Sequence, residues 1–263
     1  MSTNRIPLWE ELDTESTETT YRVDQARITS CPSTDFATSM FMPLHYERNY
    51  AYPLIVWLHG EGDDESQLCR VMPCISMRNY VAVAPRGLHG RGLHGRGSQG
   101  DDGWPQTPES ISKVEQRVLD CIELASHRYN IAEQRVFLAG YGVGGTMALR
   151  VALNLPRAFA GVASLGGPFP QGHSPLLNLG LARDLPLLLC HGRESLDYPV
   201  DEVCRDLRLI HTAGFSVTLR QYPTADELTP NMLGDLDSWI MPIVTGQPVS
   251  DDASEATQFT ELN

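Results

Sequence analysis

The chain has 263 residues, 33 acidic against 20 basic, a formal net charge of −13 and a 41% hydrophobic composition. That length fits one ordinary domain with a sizeable core, and the negative field disfavours nucleic acid and acidic substrates. No apolar run approaches the roughly 20 residues of a bilayer span, and the opening MSTNRIPLWEELDTE lacks the basic-then-apolar order of a secretory leader, so a cytoplasmic address is expected. Six cysteines (Cys31, Cys69, Cys74, Cys121, Cys190, Cys204) form no CxxC pair and read as reduced and structural, with no metal and no cofactor implied.

Residues 1–20 and 246–263 are polar and poor in large apolar side chains, so both are expected to be mobile tails around a domain at 21–245. In chain order, YRVDQARIT and SMFMPL alternate like half-buried strands. YPLIVWLHG, YVAVAP, RVFLAG, FAGVASLGG, LPLLLCHG and FSVTLRQY follow; as largely continuous apolar runs they suit a parallel sheet covered on both faces. Helices are expected between them. Residues 111–129 place Val114, Val118, Cys121, Ile122 and Ala125 on one stripe, and 144–155, 200–212 and 229–244 show similar patterns. Asp64, with Gln67 three residues on, resembles a capping box opening a helix through SQLCRVM. The fold class is therefore α/β, with an antiparallel start, a mostly parallel sheet and helices on both faces. Ligands of such sheets sit beyond the carboxyl ends of the strands.

Within 86–103, ArgGlyLeuHisGly at 86–90 repeats at 91–95. The repeat reads as a short duplication in a surface loop; a lid or an anion-binding loop using Arg86, Arg91 and Arg96 is the functional alternative. His89 and His94 are not preorganised as metal ligands there.

Strand ends carry the chemical signal: His59-Gly60-Glu61-Gly62, Gly140-Tyr141-Gly142-Val143-Gly144-Gly145, CysHisGly at 190–192 and TyrProThrAlaAspGlu at 222–227. With AlaProArgGly at 84–87, Trp104 after the glycine-rich loop, GlyGlyThrMetAlaLeu at 144–149 and Pro230 ahead of Trp239, the order resembles the α/β-hydrolase fold. Within that fold it is similar to the phospholipase/carboxylesterase family, which includes acyl-protein thioesterases, over about residues 21–245.

The resemblance implies a serine esterase or thioesterase with a nucleophile on a G-x-S-x-G turn. The matching residue here is Gly142, which has no nucleophilic side chain. The acid's position falls on Ser195, with Asp197 two residues on, and the histidine's position falls on Asp226. All three positions of the triad are thus altered. The backbone donors of an oxyanion hole carry over to Val143 and Glu61, and side-chain substitution does not remove them. His59 is expected to order that loop, and Trp104 to wall the ligand pocket.

The remaining candidates are carboxylates. Asp63-Asp64-Glu65 reads as a solvated helix start. Asp226-Glu227 and Asp197 would be drawn together by the fold, raising one of their pKa values. Cys190, inside LPLLLCHG, reads as a buried and inert thiol. The leading expectation is a pseudoenzyme whose cleft binds a small acyl or carboxylate-bearing ligand or a protein partner. Its rivals are an active ester hydrolase using water or a metal at Asp226 and Asp197, and a scaffold partner of an active homologue.

Overall fold

The structure, a computed structural model, describes residues 19–23, 26–32, 36–89 and 102–246. Strands β1 (Thr19–Val23), β2 (Ala26–Pro32) and β3 (Ala37–Met42) form an antiparallel meander. Then come β4 (Tyr52–Leu58), a 3-10 turn at Glu65–Gln67, α1 (Leu68–Ile75), β5 (Val81–Pro85), the short β6 (Leu88–His89) and β7 (Asp102–Gly103), and α2 (Pro108–Arg128). The second half runs β8 (Ile131–Tyr141), α3 (Val143–Asn154), β9 (Gly161–Leu165), α4 (Leu179–Ala182), β10 (Leu187–Gly192), α5 (Val200–Ala213), β11 (Val217–Tyr222) and α6 (Pro230–Thr245).

Nine strands form one sheet in the order β1-β2-β3-β5-β4-β8-β9-β10-β11, parallel from β5 to β11. Every residue of β4, β5, β9 and β10 is buried, as a sheet covered on both faces requires, while edge strand β11 is mostly open. The two faces carry separate cores. One packs β4 and β8 against α2, α3 and the end of α5 through residues such as Val114, Val118, Leu149 and Ile210. The other packs α1 and α6 through Leu68, Met72, Leu236 and Ile240 around Trp57 and Phe137. Pro108 and Pro230 open α2 and α6, each behind a threonine whose Oγ1 accepts a first-turn amide: Thr107 from Ser110 at 3.2 Å, Thr229 from Met232 at 3.3 Å. Among the described residues no helix is long and apolar enough to cross a membrane.

Three expectations change. YRVDQARIT is not one strand but a hairpin, in which Val23 pairs with Ala26; period-2 alternation survives a two-residue connection, so it does not reveal the reversal. Thr19 and Thr20 lie in β1, so the expected tail ending at 20 is too long by those residues. Residues 1–18 and 247–263 of the two tails, and Gly90–Asp101 of the repeat loop with Arg91, His94 and Arg96, lie outside the described residues. At the base of that loop β6 pairs with β7, and Arg86 makes a two-pronged ion pair to buried Glu65 at 2.6 and 2.8 Å. Arg86 thus holds the base of the loop to the 3-10 turn at Glu65–Gln67.

Candidate functional site

The site forms where β4, β8 and β10 end. Tyr141 closes β8, and one residue later α3 begins, so the chain must reverse direction within Gly142. Gly142 has φ 53° and ψ −121°, which glycine adopts with little strain. Its amide donates to Leu165 O at 2.9 Å and its carbonyl accepts from Thr146 N at 3.1 Å. A Cβ added at Gly142 would meet nothing within 4 Å, so the position faces open space. Gly144 is the opposite case: a Cβ there would stand 2.3 Å from the carbonyl oxygens of both Leu58 and His59. That contact presses the start of α3 onto the end of β4. It brings the first-turn amides, which have no acceptor inside the helix, to the same cleft as Glu61.

The 59–62 loop is set from behind. His59 is fully buried; its Nε2 accepts from Gly87 N at 2.9 Å, so the proton sits on Nδ1 and is donated to Gly60 O at 2.9 Å. Trp104 Nε1 donates to His59 O at 2.8 Å, and the two rings lie 4.9 Å apart. His59 thus ties the 59–60 turn to Gly87. Trp104, expected as a pocket wall, is instead buried behind the loop and absent from the cavity lining. Its indole N–H needs an acceptor once buried, and the His59 carbonyl supplies it.

Ser195 follows β10 and Asp226 follows β11, and their side chains meet: Ser195 Oγ donates to Asp226 Oδ1. The same carboxylate accepts from Leu196 N at 2.9 Å and Asp197 N at 3.3 Å, while Ser195 Oγ accepts from Tyr198 N at 2.9 Å. Tyr141 hydroxyl donates to Asp226 O at 2.7 Å, tying this corner to the end of β8. Underneath, buried His191 donates from Nε2 to Tyr198 O at 3.0 Å. Desolvation pushes the Asp226 carboxyl up, but donation from Ser195, Leu196 and Asp197 and the nearby His191 outweigh it and hold it below 3.8. At Asp226 the shift runs opposite to the rise expected from crowding: the carboxylate's partners are donors, not other acids.

A pH dependence follows. A carboxyl depressed in the folded state stabilises above its unfolded value, here 3.8, and that stabilisation is lost as pH falls through the lower folded value. Asp226→Asn should melt below wild type at pH 6, and the gap should narrow as pH drops below about 4. Equal gaps at pH 6 and pH 3 in calorimetry would contradict this.

Gly142, Ser195 and Asp226 all line one cavity of about 660 Å³, together with Glu61, Val143, Asp197 and Glu227. The lining residues that escaped the sequence reading include the polar Gln106, Thr146, Arg150, Gln171 and Glu202. Arg150 is 1% exposed and donates to Gln106 Oε1 at 2.6 Å, Gln171 O at 2.6 Å and Gly172 O at 3.0 Å. Burial lowers its pKa. The available signal was a lone cation in the otherwise apolar run TMALRVAL, on a helix buried from Gly144 to Leu153.

Asp63, Asp64 and Glu65 do not form a solvated face as a group. Asp64 caps Ser66 N at 2.9 Å, Asp63 receives Gln67 Nε2 at 2.7 Å and Arg70, and Glu65 is buried against Arg86. Gln67 does not close a capping box; its Oε1 accepts from Trp57 Nε1 at 2.7 Å, because the buried indole needs an acceptor. Cys121 and Cys190 are buried, and desolvation pushes each thiol up to about 12, while Cys74 and Cys204 are exposed. Among the described residues no cluster of three or more His, Cys, Asp or Glu is placed to hold a metal.

A family model described as phospholipase/carboxylesterase matches residues 45–243. A protein of Oryza sativa subsp. japonica named as a carboxylesterase is 25% identical over 210 residues, covering 71% of this chain and 76% of that one. NocK of Nocardia uniformis subsp. tsuyamanensis, named as an esterase, is 28% identical over 149 residues, 57% of this chain; the match spans only 42% of NocK. Among solved structures, Arabidopsis thaliana SOBER1 aligns with a TM-score of 0.63 at 20% identity, covering 74% of this chain and 100% of that chain. Zea mays acyl-protein thioesterase 2 aligns with a TM-score of 0.63 at 18% identity, covering 79% and 98%.

Proposed function

We propose, of a chain that belongs to the phospholipase/carboxylesterase family of α/β-hydrolases, that it does not hydrolyse esters by the family's serine mechanism and uses its cleft to bind a small acyl or carboxylate-bearing molecule. One observation carries the reading. The turn that presents a residue to the cleft presents Gly142, and the two side chains flanking it, Ser195 and Asp226, are hydrogen-bonded to each other.

Removing the serine of a triad costs about 10⁶ in turnover and leaves about 10³ to 10⁴ over water from backbone donors and binding. Here no nucleophile stands at the turn, and Ser195 Oγ is engaged as donor to Asp226 and acceptor from Tyr198 N. The rival reading, water activated by Asp226 or Asp197, needs a base with a pKa near the working pH. Asp226 is held the other way, below 3.8. The binding elements persist: a roomy cavity, the first-turn amides of α3 as donors to an acyl carbonyl, and the Glu61 loop held by His59.

The test is a titration of the ¹⁵N-labelled full chain with straight-chain acids of four to eight carbons and their amides. Shifts concentrated at Glu61, Gly142, Val143 and Thr146 amides are expected. A panel in which none of these compounds moves those amides at millimolar concentration contradicts the reading.

A further inference from the structure

The cleft holds charges of opposite sign at two separate places. Arg150 forms one pole. Its side chain is almost wholly buried, and its three hydrogen bonds all go to neutral acceptors, Gln106 Oε1, Gln171 O and Gly172 O. A guanidinium carries five N–H donors, so two remain. Among the described residues no carboxylate pairs with Arg150; Glu202, which shares the cavity wall, is paired with Arg205 at 3.1 Å. A buried cation facing a cavity without a counter-charge is costly to maintain, and a ligand carboxylate matches its planar donor geometry.

The other pole lies at the Gly142 end. Glu61, Asp197, Asp226 and Glu227 line the same cavity. Asp226 is engaged by Ser195 and two backbone amides, but Glu61, Asp197 and Glu227 make no ion pair among the described residues. Asp197 and Glu227 bear on Tyr141, whose hydroxyl is pushed up to about 12, first by burial and then by Asp226, Asp197 and Glu227. A purely anionic ligand is repelled there, whereas an ammonium group relieves the repulsion. The poles are offset along α3. Arg150 is eight residues beyond Gly142, about 12 Å along the helix axis, and helix side chains lean back toward the N-terminus.

We propose that the cleft recognises a linear zwitterion, an ω-amino acid or an acyl chain of that charge pattern, with its carboxylate on Arg150 and its ammonium among Glu61, Asp197 and Glu227. This rests on the reading of the cleft as a binding site and gives that site its ligand class.

Three probes of one chain length separate the poles: hexanoate, hexylamine and 6-aminohexanoate, each titrated into the ¹⁵N-labelled full chain at low salt. The expected order puts 6-aminohexanoate about tenfold or more ahead of either single-charge probe, the value of one charge-assisted contact. Arg150→Gln should bring 6-aminohexanoate down to the affinity of hexylamine and leave hexylamine unchanged, with Arg150→Lys partly restoring the preference. Glu227→Gln, on an exposed loop, should weaken hexylamine and 6-aminohexanoate severalfold and spare hexanoate; this arm holds even where Arg150→Gln fails to fold.

Hexanoate binding as tightly as 6-aminohexanoate to wild type overturns the zwitterion while leaving the acyl-binding reading intact. Equal weakening of all three probes by Arg150→Gln makes Arg150 only a clamp on the 171–172 loop and also overturns it. Silence of the cleft amides with every probe removes both readings together.

Discussion

The triple variant Gly142→Ser, Ser195→Asp, Asp226→His should hydrolyse p-nitrophenyl butanoate about 10² to 10³ times faster than wild type, while Gly142→Ser alone stays near the wild-type level. A Cβ at residue 142 enters open space on the cleft side of the turn, so a hydroxyl placed there faces the cavity. Residues 195 and 226 already touch, which is the contact an acid and a histidine need to share. The single variant supplies a nucleophile without a base to take its proton, and a triad acts as a unit whose members are grossly non-additive. The gain is set below the full 10⁶ because nothing has fitted the new imidazole to the new serine. A triple variant that folds, shows native amide dispersion and remains at the level of the single variant would show that these three positions are not arranged as a triad.

A second large effect is expected one turn further on. Gly144→Ala should lower the melting temperature by roughly 6–12 °C or abolish soluble expression, because its Cβ would lie 2.3 Å from two main-chain carbonyl oxygens, those of Leu58 and His59. Neither oxygen can retreat: Leu58 is the buried last residue of β4, and the buried His59 that follows it is held through its ring by Gly87 and through its carbonyl by Trp104. Overpacking of this kind costs about 3 kcal/mol or more, since the obstruction is backbone rather than the end of a flexible side chain. Gly142→Ala is the matched control. It meets open space and bears only the strain of a positive φ, about 1–2 kcal/mol, so its melting temperature should fall by about a third to two thirds as much. Equal losses at the two positions would mean that α3 does not press on β4 as described.

Much of this architecture can be read from the sequence because continuous apolar runs and helical stripes report burial directly. β4, β5, β9 and β10 are buried at every residue, and α2, α3, α5 and α6 begin and end within three residues of the periodic segments. The hairpin of β1 and β2 was hidden because a two-residue reversal preserves alternation. In the site, the positions of Gly142, Ser195 and Asp226 follow from the order of the strand ends, and all three line one cavity. What side chains do inside that cavity does not follow from order. Trp104 turned away because an indole N–H found the His59 carbonyl. Asp226 is lowered, against the push of burial, because the Ser195 hydroxyl and the Leu196 and Asp197 amides donate to it. Arg150 was passed over because its helix reads as pure core, and only the three-dimensional lining brings it to a cavity wall.

The central claim, a hydrolase scaffold without serine hydrolysis, is tested most directly by measuring p-nitrophenyl butanoate turnover of purified wild type beside Asp226→Ala from an identical preparation. The account predicts that both rates equal that of a heat-inactivated blank. A clear wild-type rate that disappears in Asp226→Ala would contradict it and make that carboxylate the centre of a working mechanism.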